Sequence, residues 1–156
     1  MVNDRNTLHL MVESVLDLVR VNGSTEIAVD LEHHHQHSYL GLTCLIQLTT
    51  RHKIDFIIDP FPLWNCLGEE LCHIFHNDKV LKVLHGADSD VQWLQRDFGL
   101  YLVNMFDTFN ASKALMLPTC SYAYLLEYYC RKHSDKRFQL ADWTIRPLSE
   151  EMLKYA

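Results

Sequence analysis

The order of strand-like and helix-like segments restricts this chain to few architectures. Three apolar strand patterns follow one another at residues 26–32, 42–49 and 54–58. Two more, at 80–84 and 100–106, are separated by a helical pattern. Consecutive strands can pair through short turns, whereas parallel strands need crossover helices. The order predicts an α/β fold: a mixed five-stranded sheet, its first three strands an antiparallel meander, flanked by helices.

Apolar residues spaced by three and four positions predict the helices. One such stripe covers residues 8–19, and the NGS at 22–24 is expected to end that helix. Further helices are predicted at residues 64–75, from Ser89 to just before Gly99, around 122–129 and from 149 onward. With 156 residues, 48% of them apolar and 22% charged, the chain is long enough for one domain with a hydrophobic core.

Composition excludes several classes of protein. The five cysteines are odd in number and form no CxxC pair, which argues against a disulfide framework or a zinc knuckle and favours reduced thiols. No apolar run approaches the roughly 20 residues of a membrane span, and the charged N-terminus lacks the apolar core of a signal peptide. The net charge of −6 provides no broad positive field for nucleic acid, although bound divalent cations would reverse the sign at an acidic site.

Two carboxylates stand on the first predicted strand, in the stretch VDLE. Asp30 and Glu32 point to one face because side chains alternate along a strand, while Val29 and Leu31 point to the other. Neighbouring carboxylates repel each other unless they are solvated, protonated or gathered around a cation. Hard oxygen ligands suit Mg²⁺ or Mn²⁺. A solvated acidic edge and a metal site both remain open from this spacing.

A second acidic cluster, HGADSDVQWLQ at 85–95, follows a strand and opens a helix. Ser89 and Gln92 fit a capping box, and Asp88 and Asp90 fall in the first turn, where the helix dipole favours negative charge. Capping is the commoner explanation of such a pattern, and a functional site is the alternative.

These stretches, with FDT at 106–108 and QLADWTIRPL at 139–148, come in the order typical of a known family. The chain resembles the RNase D family of DEDD 3′-to-5′ exonucleases, and within it the branch that serves the nuclear RNA exosome, over about residues 25–156. The resemblance implies an RNase H-like fold. It also implies a metal-dependent exoribonuclease that shortens RNA from its 3′ end and releases nucleoside 5′-monophosphates.

The resemblance assigns roles to individual residues. Asp30, Glu32 and Asp90 match the family's metal ligands, which hold two divalent cations, Mg²⁺ or Mn²⁺. Tyr155 matches the tyrosine that orients the attacking water, and Asp88 is left as a plain helix cap. The substrate-binding residues that it implies are Leu31, His33, His34 and Trp93, although the helical spacing of Trp93 also indicates a core position.

The family's third motif places an aspartate four positions after its tyrosine, which here falls at position 159, beyond Ala156. We therefore expect residues 1–156 to be a single exonuclease domain whose last catalytic helix is cut. The implied partners are the 3′ end of single-stranded RNA and subunits of the nuclear exosome, with no membrane, in the nucleus and nucleolus. Two alternatives remain: a catalytically inactive relative that binds RNA or docks on the exosome, and an exonuclease of the same fold acting on DNA.

The histidine run of His33, His34, His35 and His37 suggests a zinc, copper or nickel site. Zinc sites usually draw ligands from separated positions, and adjacent residues of an extended chain face opposite ways. These histidines are therefore expected to line the edge of the active site.

Three other features have structural and functional interpretations. RKHSDKR at 131–137 is either a solvated loop or a guide for the RNA backbone. Asp107 is expected to make a hydrogen bond to the backbone. Asp142, Trp143 and Arg146 are expected to form a structural brace that combines an apolar ring with an ion pair.

Overall fold

The computed structural model describes residues 1–36 and 38–156, and its centre is a five-stranded sheet of order β3-β2-β1-β4-β5. The strands are β1 (Thr25–His34), β2 (Leu42–Thr50), β3 (Asp55–Ile58), β4 (Val80–Leu84) and β5 (Met105–Asp107). The pairs β1–β2 and β2–β3 are antiparallel, while β1–β4 and β4–β5 are parallel. The predicted mixed sheet, with its antiparallel meander, is confirmed.

The helices lie on both faces of this sheet. They are α1 (Arg5–Asn22), α2 (Trp64–Phe75), α3 (Asp88–Phe98), α4 (Thr108–Ala114), α5 (Tyr122–Leu125), continued by a π-helical segment (Leu126–Cys130), and α6 (Glu150–Tyr155). The main core joins α1, α2 and α3 to one face of the sheet, and a smaller core on the other face gathers Trp143, Leu148 and Met152. Within the described part of the chain, every helix is too short or too polar to span a bilayer.

The side chains of strand β1 alternate between the two faces of the sheet. Ile27, Val29 and Leu31 are buried in the main core, whereas Asp30 remains open and Glu32 is half-buried on the opposite face. The alternation predicted for VDLE is therefore present. β1 is the central strand, and its carboxylates stand just past residues 25–28, which pair with β4.

A β-bulge interrupts the pairing of β1 with β2 just after Glu32. Glu32 lies opposite Leu45, but His33 lies opposite Thr43, so Cys44 is the extra residue. The Thr43 N–H donates to Asp97 of α3 at 3.0 Å. The Cys44 carbonyl accepts from Arg146 at 2.8 Å. Backbone groups at the bulge are thus satisfied by side chains from two distant parts of the chain.

The brace around Arg146 forms with a different acid from the one predicted. Arg146 makes a two-pronged ion pair with Asp59, at 2.7 and 2.9 Å, and lies 4.5 Å from the Phe61 ring centroid. Asp142 instead accepts hydrogen bonds from the backbone N–H and hydroxyl of Thr144. The predicted ion pair between Asp142 and Arg146 was wrong. The actual partner, Asp59, lies 87 positions from Arg146, so the residues around Arg146 could not indicate it.

The predicted capping box at Ser89 was also wrong. Helix α3 begins one residue earlier, after Ala87, and no side chain of its own caps it. Asp107 accepts from the Gly86 and Ala87 N–H groups, at 2.9 and 3.2 Å, and also caps α4 through the Phe109 N–H. The expectation that Asp107 bonds to the backbone is confirmed.

Three further features differ from what the residue periodicity predicted. Strand β5 is shorter than predicted and starts only at Met105, because Asn104 takes a left-handed backbone conformation with φ of 59°. The helix predicted around 122–129 divides into α5 and the π-helical segment, and α4 was not predicted.

Lys82 is a buried cation at the centre of β4. Its ammonium donates to three backbone carbonyls, those of Ile74, Asn77 and Val80, at 3.3, 2.9 and 2.6 Å. Ile74 belongs to the last turn of α2, where the helix dipole favours a cation. This side chain therefore ties the end of α2 to the sheet.

We expect Lys82→Met to lower the free energy of unfolding by about 1–3 kcal/mol, because it removes three hydrogen bonds to backbone carbonyls inside the fold. Urea unfolding measures the change. Lys79→Met, on the exposed turn before β4, is the matched control and should stay within about 0.5 kcal/mol of the wild type. A Lys82→Met protein as stable as the control would show that the three hydrogen bonds add nothing to stability.

Candidate active site

Four predicted catalytic residues come from three elements. Asp30 and Glu32 are carried by β1, Asp90 by the first turn of α3 and Tyr155 by α6. Asp90 is buried whereas Asp88, two positions earlier, is exposed, and neither caps the helix with its side chain. Burial thus distinguishes the same aspartate that the resemblance selected, whereas the helix cap expected of Asp88 was wrong.

Electrostatic coupling shows that the three carboxylates occupy one region. Burial, followed by the charges of Asp30 and Asp90, raises the pKa of Glu32 to about 8. Burial also raises the pKa of Asp90 to about 7, again with a contribution from Asp30. Burial also raises the pKa of Asp30, although part of this residue is exposed to solvent. A hydrogen bond from the Leu31 N–H acts in the opposite direction.

The chemistry of these donors fits a hard divalent cation. Among residues 1–36 and 38–156, no three histidine, cysteine or acidic side chains converge closely enough to be a ready metal cage. Glu32 accepts a hydrogen bond from Gln47 at 3.3 Å and Asp30 accepts one from the Leu31 N–H at 3.1 Å. The remaining repulsion among the three carboxylates is of the kind that a bound cation would relieve. The metal ligands stay a prediction at this point.

Tyr155 lies beside the carboxylates. Its ring packs against Phe138 and Trp143, with centroids 5.7 and 5.9 Å away. Burial raises the pKa of its hydroxyl, followed by the charges of Glu32 and Asp30. The phenol is therefore neutral at physiological pH and can both donate and accept a hydrogen bond next to the acidic cluster.

The predicted substrate-binding residues divide into two groups. His33 stacks on Trp93, with ring centroids 4.0 Å apart and planes 5° from parallel. Leu31 is buried in the main core, and His34 is buried with its Nδ1 3.6 Å from an Asp142 oxygen. Of the four, only His33 and Trp93 keep partly exposed rings, so Leu31 and His34 can meet a ligand chiefly through their backbone.

The histidine run does not form a metal site among the described residues. His33 and His34 point to different surroundings, as alternation predicts, and His37 lies outside the described residues. On the basic loop, Arg137 is exposed and paired with Asp135 at 2.8 Å, which is typical of a solvated surface.

Two residues near the carboxylates were missed in the sequence. His85, directly after β4, bonds to the Thr108 hydroxyl at 2.9 Å, and its charge lowers the pKa of Asp30. Tyr122 lies 5.5 Å from the His85 ring; burial and then the charge of Asp30 raise its pKa. His85 stands in the HGADSD motif and could have been found there, whereas only the tertiary structure brings Tyr122 close.

Comparison with known proteins agrees with this geometry. The sequence profile of the 3′-5′ exonuclease family matches residues 1–156. The chain is 55% identical over 136 residues to the exosome complex component 10 homolog of Caenorhabditis elegans, and 49% identical over 145 residues to the exosome complex exonuclease RRP6 of Saccharomyces cerevisiae. These matches cover 87% and 93% of this chain but only 15% and 19% of those proteins.

Solved structures show the same fold. The catalytic core of RRP6 from Trypanosoma brucei superposes with a TM-score of 0.90 at 42% identity, covering 99% of this chain and 41% of that one. Escherichia coli RNase D, an exoribonuclease, superposes with a TM-score of 0.86 at 26% identity, covering 100% of this chain and 40% of that one. The mixed sheet is therefore shared with an exoribonuclease of known structure. The chain belongs to the 3′-5′ exonuclease family.

The raised pKa values predict a pH dependence of stability in EDTA. A carboxyl whose pKa is higher in the folded than in the unfolded state favours folding below its unfolded pKa, and that contribution is lost as pH rises through the folded pKa. For Glu32 the window runs from the ordinary value of 4.5 to about 8. The Tm of the metal-free chain should therefore contain a component that falls with rising pH.

Glu32→Gln and Asp90→Asn should raise the Tm in EDTA at about pH 8, because each removes a repelling charge. Scanning calorimetry from about pH 5 to about pH 9 measures this effect. Asp88→Asn, on the exposed side of the same helical turn, should leave the pH profile unchanged. If Asp90→Asn and Asp88→Asn gave the same profile, the carboxylates would not be coupled.

Proposed function

We propose that this chain is the exonuclease domain of a metal-dependent 3′-to-5′ exoribonuclease that works with the nuclear RNA exosome. The observation that carries the proposal is the coupled, desolvated set of Asp30, Glu32 and Asp90. Such a set is costly without a cation, and a cost concentrated in one place is characteristic of functional sites.

In this proposal Asp30, Glu32 and Asp90 hold two divalent cations, Mg²⁺ or Mn²⁺. When bound, such ions activate water and stabilise the leaving oxygen of a phosphodiester. The chain itself supplies the orientation: the neutral hydroxyl of Tyr155, beside Glu32, directs the attacking water by a hydrogen bond. The products are nucleoside 5′-monophosphates released one at a time from the RNA 3′ end.

Substrate binding is assigned to the edge of the site. The His33–Trp93 pair and the backbone around Leu31 and His34 lie where the terminal nucleotide would meet β1 and α3. Contacts to the backbone and to ring faces hold single-stranded ends of any sequence, as a general decay enzyme requires.

The exosome partnership rests on the relatives. Proteins named exosome complex component 10, including that of Mus musculus at 52% identity over 153 residues, match 94% of this chain. The chain spans 17% of that protein, so assembly with exosome subunits, nuclear and nucleolar localisation and a role in ribosomal RNA processing are part of the proposal.

The catalytically inactive, RNA-binding relative is the second candidate. The resemblance places the family's fourth metal-binding aspartate at position 159, and the two candidates differ in whether an acid stands there. The activity assay should therefore use both the 156-residue chain and a chimera that extends α6 with the aligned residues of the Saccharomyces cerevisiae RRP6 protein.

The decisive prediction compares two aspartates of one helical turn. Asp90→Asn should lower the rate at which a single-stranded RNA is shortened in Mg²⁺ or Mn²⁺ by more than about 100-fold, since losing a residue that merely supports a metal ligand already costs roughly 10–100-fold. Asp88→Asn should retain the wild-type rate. A denaturing gel of an RNA labelled at its 5′ end measures both.

EDTA should stop the reaction in every active version, and an RNA with a blocked 3′ end should persist. If the chimera folds and binds RNA but never shortens it, the inactive relative is the correct assignment. If it shortens single-stranded DNA and leaves RNA intact, the enzyme acts on DNA.

A further inference from the structure

Beyond Asp90, one side of helix α3 contacts the end of β1 and the start of β2. Trp93 and Asp97 follow Asp90 by three and seven positions, so the three side chains lie along one stripe of the helix. Trp93 stacks flat on His33 at 4.0 Å. This stack joins α3 to the residue directly after Glu32.

Arg96 adds a second connection between the same parts of the chain. Its guanidinium donates to the Leu40 carbonyl at 2.6 Å and reaches the His33 Nε2 at 3.4 Å. It also pairs with Asp97 at 2.6 Å. Because Arg96 only donates, the His33 Nε2 is the acceptor and the proton of the neutral ring lies on Nδ1.

Asp97 anchors β2 to the helix. Its carboxylate, with a side chain only 7% exposed, accepts from both the N–H and the hydroxyl of Thr43, at 3.0 and 2.8 Å. Burial alone would raise the pKa of Asp97, but hydrogen bonds from Arg96 and Thr43 lower it, so the group stays ionised. The bonds form at the bulge, where the register of β1 and β2 shifts.

Gly41 leaves the space that His33 occupies. Its φ of +66° lies in the left-handed region, and a Cβ built there would be 2.1 Å from the His33 Cε1. Any side chain at position 41 would therefore collide with the histidine ring and push it away from Trp93.

These contacts lie next to Glu32 and Asp90, two of the carboxylates proposed to hold the cations. Glu32 is the chain neighbour of His33, and Asp90 lies one helical turn before Trp93. The carboxylates of Glu32 and Asp90 repel each other before a cation arrives, so an opposing attachment between β1 and α3 is needed to keep the site assembled. The His33–Trp93 stack and the Thr43–Asp97 hydrogen bonds provide such an attachment.

We propose that Gly41, His33, Trp93, Arg96 and Asp97 form a clamp that sets the distance between Glu32 and Asp90. His33, Gly41, Arg96 and Asp97 are then positioning residues: they act on the metal-binding carboxylates through β1 and do not themselves meet the cation. The inference rests on the proposed function in that it takes Glu32 and Asp90 as metal ligands.

The test is made on the chimera with the extended α6 and measures Mn²⁺ affinity by titration calorimetry, alongside the KM for single-stranded RNA and the Tm. Asp97→Asn should weaken Mn²⁺ binding about 10–100-fold, the usual effect of losing a residue that supports a ligand. The KM for RNA should stay unchanged. Asp55→Asn is a matched control, because Asp55 makes a similar 2.8 Å bond to the Thr49 hydroxyl at the other end of β2.

A milder pair covers the case in which Asp97→Asn fails to fold. Thr43→Val removes only the hydroxyl bond to Asp97, and Thr49→Val removes the corresponding bond to Asp55. Thr43→Val should weaken Mn²⁺ binding and Thr49→Val should not, at similar Tm. Equal Mn²⁺ affinities for the two would overturn the clamp.

His33 distinguishes positioning from direct RNA contact. His33→Ala should weaken Mn²⁺ binding, and His33→Phe, which keeps a flat ring on Trp93, should restore most of it. If His33→Ala instead raised the KM for RNA at unchanged Mn²⁺ affinity, the ring would be a substrate contact only, as proposed above, and the clamp would be wrong.

Failure of the clamp and failure of the proposed function give different results. A chimera that binds Mn²⁺ but leaves RNA intact contradicts the exonuclease, while the calorimetric comparison of Thr43→Val with Thr49→Val still decides the clamp. A chimera that binds no Mn²⁺ contradicts both.

Discussion

The repulsion among Asp30, Glu32 and Asp90 is the constraint around which this domain is organised. The carboxylates are partly or largely desolvated and close enough for each to disfavour the ionised form of another. A fold that holds them together must supply compensating attachments. Two are visible: β2 pairs with β1 along residues 27–34, and α3 packs against the end of β1 through the His33–Trp93 stack.

The bulge in β2 links these attachments to the rest of the domain. Asp97 of α3 satisfies the Thr43 N–H, and Arg146, itself paired with Asp59, satisfies the Cys44 carbonyl. The segment that contains Arg146 leads into α6 and so to Tyr155. The bulge is therefore where the helix with Asp90, the strand with Glu32 and the segment before Tyr155 meet, which is consistent with bulges occurring beside active sites.

Much of the fold could be predicted because it depends on local periodicity. The two-residue alternation in VDLE placed Asp30 and Glu32 on one face, and the strand order gave the mixed sheet. The failures share a cause. The cap at Gly86 and Ala87 comes from Asp107, and the partner of Arg146 is Asp59; both contacts join residues far apart in the chain. A local pattern cannot show which distant side chain will satisfy a group.

By itself, the sequence determined the fold class, the face on which Asp30 and Glu32 stand and, through its ordered motifs, the family. Those properties follow from the two-residue period of a strand and from residue order. The tertiary structure alone distinguished buried Asp90 from exposed Asp88, brought His85 and Tyr122 beside Asp30, and stacked His33 on Trp93. Burial and electrostatic coupling depend on the volume around a side chain, and that volume is filled by segments that meet only when the chain has folded.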